Sequence, residues 1–148
     1  MSRRLMSLLF LAAALSPAWV AAQAMPLVEL AAGMYRIEAE VAATQGHRMR
    51  GLMQRKAMAP QRGMLFVFDG PTTQCMWMRN TLLPLAVAFL DEQGRIINVE
   101  EMLPQTENSH CAVKPAKYAL EMNGGWFKAR GFGAGTPIAG IDKAPPAH

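Results

Sequence analysis

The residues with the richest chemistry crowd into one short segment, Cys75-Met76-Trp77-Met78-Arg79-Asn80-Thr81. Trp77 offers a stacking surface, Arg79 a bidentate donor and Asn80 an amide. With Thr81 beside them and Glu121 on a later strand, they suit a small anionic or sugar-like ligand. The competing reading is structural. In it Trp77 fills the core, Arg79 pairs with Glu121, and Asn80 satisfies backbone groups before the Pro84 turn. A second constellation is soft. Cys75, Met76 and Met78, with His110-Cys111 further on, could present thiolate, thioether and imidazole to Cu(I). Against this, methionines are common gap-fillers, and the two sulfurs can bond each other. A third is the basic cluster Arg48, Arg50, Arg55, Lys56 and Arg62. It is either a solvated helix face or a receptor for an anionic surface.

Enzyme signatures are missing from the sequence: no Gly-x-Ser-x-Gly, no His-Glu-x-x-His, no phosphate-cradling glycine loop. His47 and His110 could each act as a general base, but neither has a partner visible in the sequence. The leading expectation is a non-catalytic binding or accessory module. Its partner would be a small molecule or a periplasmic protein. The alternatives are a hydrolase or transferase working near residues 77–81, and copper handling. No resident cofactor or metal is expected.

The chain has 148 residues, enough for one domain with a core. Its start is set apart. Arg3 and Arg4 precede an apolar run at residues 5–15, then Pro17 and the small-x-small site Ala22-Gln23-Ala24. That is the pattern of a cleaved secretory signal peptide over residues 1–24, with the twin-arginine route open as well. A retained anchor is the alternative, but the run is short for a membrane span. The expected product is periplasmic or secreted, monomeric, and without a stable membrane anchor. Residues 1–24 hold two arginines and no acid, so the remainder has 13 basic to 11 acidic residues. That balance argues against nucleic acid as a partner. Both cysteines lie in the exported part, where an oxidising compartment favours a Cys75–Cys111 disulfide over free thiols.

The elements that would position these residues are mostly strands. Residues 25–33 read as a lead-in segment, and 34–43 alternate as a half-buried strand. Thr44 can cap a short helix reaching towards Arg55. Strands follow at 64–68, 75–80, 85–90 and 95–102, with residues 91–94 as a hairpin turn ending in Gly94. A long polar loop at 103–115 precedes a strand at 117–122, helical turns at 123–130 and a last strand at 137–141. The Pro/Ala-rich residues 142–148 read as a disordered tail. Short strands joined by turns predict an all-β fold: one antiparallel β-sandwich or barrel over residues 34–141, with one or two short helices.

Several segments are specific enough to resemble a family. They are Arg50-Gly51-Leu52-Met53, Gly63-Met64-Leu65-Phe66-Val67-Phe68, Trp77-Met78-Arg79-Asn80-Thr81 and Pro84-Leu85, in that order and spacing. Tyr118-Ala119-Leu120-Glu121 with Gly124 and Gly125, and residues 131–135, extend the match. Together they resemble the uncharacterised ACR family, domain of unknown function 192, over about residues 34–141. The resemblance implies a compact jelly-roll-like β-sandwich and no established activity. Thr136 stands where the family usually has an acid. The cysteine pair looks like a feature of one exported branch, which implies a stabilising role for it.

Overall fold

The computed structural model describes residues 24–148, so nearly all of the expected signal segment lies outside the described residues. The chain runs β1 (Leu27–Ala32), β2 (Tyr35–Ala42), α1 (Gln45–Arg50), β3 (Arg62–Thr72), β4 (Cys75–Met76), β5 (Leu85–Leu90), β6 (Ile96–Met102), β7 (His110–Cys111), β8 (Ala116–Asn123), α2 (Trp126–Ala129) and β9 (Ile138–Ala139). Seven strands form one curled sheet, a half-barrel in the order β6-β5-β8-β3-β2-β1-β9, and β4 with β7 forms a separate two-stranded ribbon. The fold is all-β with two short α-helices, as the turn-linked strands predict.

One pairing departs from the antiparallel expectation. β2 and β3 run parallel, from Glu38 opposite Arg62 to Ala42 opposite Phe66. Parallel neighbours need a crossover, and residues 43–61 with α1 supply it. Thr44 caps α1 by accepting a hydrogen bond from the His47 N–H at 3.1 Å. The helix stops at Arg50, short of Arg55, because Gly51 takes a φ of 48° and turns the chain back.

Alternate residues of the strands feed two cores, one on each face of the sheet. Leu65 and Val67 of β3, Ala86, Ala88 and Leu90 of β5, and Leu120 and Met122 of β8 face α2, with Trp126 and Phe127. Met64, Phe66, Leu85, Val87, Phe89 and Ala119 face the other way, with Leu52 after α1 and Met78. A strand covered on both sides must be apolar throughout, which is why β5 reads Leu-Ala-Val-Ala-Phe-Leu.

Three expectations are corrected. The lead-in at residues 25–33 contains a full sheet strand, β1, paired with both β2 and β9. Its Val28, Leu30 and Ala32 are buried, so its alternation contributes to the core. The tail at 142–148 lies on the molecule. Ala144 and Ala147 pack against the α2-side core, and the His148 N–H donates to the Ala43 carbonyl at 3.0 Å. Small apolar residues can lie flat against that core. The strand expected at 75–80 ends at Met76, where pairing with β7 ends.

Candidate functional site

Glu121 sits near the middle of β8, opposite Met64 of β3 and Val87 of β5. Its sequence position dictates its direction. Leu120 and Met122 point into the α2-side core, so Glu121 must point to the α1 side. It is 4 % exposed. Among the described residues, no hydrogen bond or ion pair reaches its carboxyl. Burial alone pushes its pKa up, from an ordinary 4.5 to about 8. The carboxyl is therefore mostly protonated at neutral pH and presents an O–H.

Above it lies a cleft of about 360 Å³. One wall comes from α1 and the turn after it: Arg48, Met49, Leu52 and Met53. The floor is Phe66 and Phe68 of β3 together with Glu121. The opposite wall is Gln74, Cys75, Met76 and Trp77, with Thr81 behind. Met49 and Trp77 stand exposed at the mouth, at 71 % and 48 %. Arg48 serves as a strut. Its Nη1 donates to the Ala43 and Val67 carbonyls, and its Nη2 lies 3.7 Å from the Asp69 carboxylate. The turn after α1 is tied down by Arg55, which forms a two-pronged pair with Glu40 at 2.7 Å on its longer arm. That contact holds the Glu40 carboxyl below its ordinary pKa.

The opposite wall is stapled. Cys75 and Cys111 face each other across β4 and β7 and are disulfide-bonded, S–S 2.06 Å. Asn98 of β6 clamps the ribbon from below, donating to the Cys111 carbonyl at 3.1 Å and accepting from the Val113 N–H. With both sulfurs bonded, the thiolate ligands needed for copper handling are occupied. Among the described residues no three His, Cys, Asp or Glu side chains group as a metal site.

The structure divides the five residues singled out by sequence. Trp77, Thr81 and Glu121 line the cleft; Arg79 and Asn80 do not. Arg79 does not pair with Glu121. Its guanidinium stacks 5.6 Å from the Trp77 ring centroid, and its Nε lies 3.6 Å from Glu107. Asn80 adopts a φ of 55°, a left-handed turn that asparagine tolerates, and its carbonyl accepts the Gln54 N–H. Trp77 is not core, because the chain leaves β4 before reaching it. Within the basic cluster, Arg48, Arg55 and Arg62 each pair with a carboxylate, the last with Glu38 at 3.0 Å. What looked like a cationic patch is largely a set of ion pairs. His110 does have a partner, Glu100 at 3.6 Å, outside the cleft. Sequence reasoning missed Leu52, Met53, Phe66 and Phe68 as cleft residues. Their apolar spacing signals burial, and nothing local separates a core wall from a cleft wall.

The sequence profile of the family described as uncharacterised ACR (DUF192) matches residues 28–140. No curated protein matches the chain. Among solved structures, a protein of Sinorhizobium meliloti 1021 described as a candidate transcription regulator is 32% identical, with a TM-score of 0.75 over 81% of this chain and 98% of that one. A protein of unknown function from Novosphingobium aromaticivorans DSM 12444 is 29% identical, with a TM-score of 0.71 over 77% and 84%.

Proposed function

The chain belongs to the uncharacterised ACR family, DUF192, and from the cleft itself we propose that it is an exported, non-catalytic binding module whose ligand enters between α1 and the β4–β7 ribbon. The observation carrying this reading is the buried, unpartnered Glu121 carboxyl in the floor of an otherwise apolar recess. Burying a carboxyl without a partner is costly, and function is the usual reason such a group persists. Trp77 and Thr81 complete the site, while Arg79 and Asn80 shape the loop behind it. Export is supported by the pattern of residues 1–24 and by the disulfide. No helix among the described residues is long and apolar enough to cross a membrane.

A regulator's role, as the S. meliloti protein is described, would call for a cationic face. Here three of the five clustered basic residues are already matched by carboxylates. An enzymatic reading has one observation in its favour, the same carboxyl, whose raised pKa suits a general acid. The cleft lining offers that acid no second carboxylate or histidine.

The test is a fragment screen by thermal shift, with hits mapped by amide chemical shifts. Hits should raise the melting temperature by mass action. They should also move Leu52, Phe66, Trp77 and Glu121. Hits whose affinity survives Trp77→Ala combined with Glu121→Leu would remove the cleft from consideration. Turnover of any hit that Glu121→Gln abolishes would favour the enzymatic reading.

A further inference from the structure

Resting on the reading of this cleft as a binding site, we propose its ligand class: an apolar chain carrying an uncharged amide carbonyl, with that carbonyl accepting a hydrogen bond from Glu121 at the floor. The walls set the apolar part. Leu52, Met53, Phe66, Phe68 and Met76 offer dispersion contacts, and thioethers adapt to varied shapes. The floor sets the polar part. The Thr81 hydroxyl is already engaged with the Arg79 carbonyl at 3.3 Å. That leaves the Glu121 carboxyl as the uncommitted group at depth.

The charged surroundings choose among polar ends. The strand neighbours of Glu121, Met64 and Val87, are apolar. From α1 the cleft receives two arginines, Arg48 and Arg50, while β3 lines it only with Phe66 and Phe68. The charged residues of β3, Asp69 and Arg62, lie outside the lining and pair with Arg48 and Glu38. Cys75 of the ribbon is bonded and does not titrate. An ammonium would pass two like charges and would have to strip the proton from Glu121. A carboxylate would meet the arginines at the mouth, but at the floor it could only face another acid. A neutral acceptor suffers neither penalty. Because Glu121 ionises at about 8, its donated hydrogen bond is present below that pH and lost above it.

Three probes of equal chain length decide the matter: octanamide, octylammonium and octanoate. Each is titrated at pH 7 and pH 9, with amide shifts reporting the site. Octanamide should bind at pH 7 at least about tenfold tighter than octylammonium. Its affinity should fall about tenfold at pH 9, the fraction of Glu121 still protonated setting the loss. Glu121→Gln keeps a neutral donor, so octanamide should bind it alike at both pH values. Glu121→Leu should lose about tenfold at pH 7, the worth of one hydrogen bond. Octylammonium or octanoate binding as tightly as octanamide would overturn the ligand class while leaving the cleft a binding site. So would octanamide affinity unchanged between pH 7 and pH 9. Silence from all three probes overturns the class too, and the fragment screen then tells whether the binding reading falls with it.

Discussion

The two faces of the half-barrel are made by alternate residues of the same strands, yet one is sealed and the other is open. On the α2 side, Trp126, Phe127, Ile138, Ile141 and the C-terminal alanines cover the sheet, and no carboxyl is buried there, although Trp126 Nε1 and Arg130 Nε are buried without a hydrogen-bond partner. On the α1 side the cover is thinner: one short helix, its following turn and a ribbon of two two-residue strands. That side carries the buried acid and the exposed Trp77. A sheet with two apolar faces needs two covers, and a cover held by few contacts leaves room for a ligand. The sealed face supplies stability, and the open face can then afford an unpaired carboxyl.

The contrast breaks first, if it breaks, at Phe127. It is fully buried in the α2-side core, so Phe127→Ala should cost about 3–5 kcal/mol. Phe68 is half-buried beside the cleft, and Phe68→Ala should cost well under half of that. Denaturant midpoints compare the two directly. Equal losses would mean that the two faces are packed alike.

The staple comes next in size. The Cys75–Cys111 bond closes a loop with a sequence separation of 36. Replacing both cysteines by alanine should cost about 3–4 kcal/mol by loop-closure entropy. Reductant should bring the native protein to the same stability and leave the double variant unmoved. An unaltered denaturant midpoint after complete reduction would show that Asn98 and the ladder alone hold the ribbon.

Glu121 tests the open face by pH. Its carboxyl ionises near 4.5 in the unfolded chain and at about 8 in the folded one. Between those values the folded state holds a proton that the unfolded state has lost. The stability from this group is therefore complete below about 4.5 and is lost as pH rises to about 8. Glu121→Gln has no such dependence. It should be more stable than the native protein by about 3 kcal/mol at pH 7, each tenfold change in proton affinity being worth about 1.4 kcal/mol. At pH 4 the two should agree. Parallel pH–stability curves for both proteins would refute the unpaired, buried carboxyl.

What the sequence made legible was the sheet, and what it hid was the company each residue keeps. Residues 85–90, apolar at every position, announced a strand, and the structure shows it covered on both faces. Asp91 and Gly94 announced the hairpin: Asp91 Oδ1 accepts from the Gln93 and Arg95 N–H groups, and Gly94 takes a φ of 78°. Alternation around Leu120 placed Glu121 on the face opposite Leu120 and Met122. Its lack of a partner was not legible, because the partner expected for it, Arg79, lies beyond the end of a strand whose length is set by β7. That pairing joins Cys75 to a residue 36 positions away, and no local pattern records where it stops. The same holds for β1 and the tail. Both are short apolar stretches whose roles are fixed by distant partners, β9 for the one and the α2-side core for the other.

The smallest effect separates two tryptophans. Trp126 is buried on the sealed face, stacked by Arg130 at 4.4 Å and edge-on to Phe127 at 5.1 Å. Trp77 stands half exposed at the cleft mouth, with only Arg79 over its ring. An exposed stacked cation is worth little, so Trp77→Ala should change folding stability by no more than about 0.5 kcal/mol. Its effect should appear in octanamide titrations, where losing one wall of the mouth weakens binding several-fold. Trp126→Ala should do the reverse, unfolding the protein at lower denaturant while leaving the affinity of the folded fraction unchanged. If Trp77→Ala instead destabilises as much as Trp126→Ala, its ring is structural, and the open face is closed in solution.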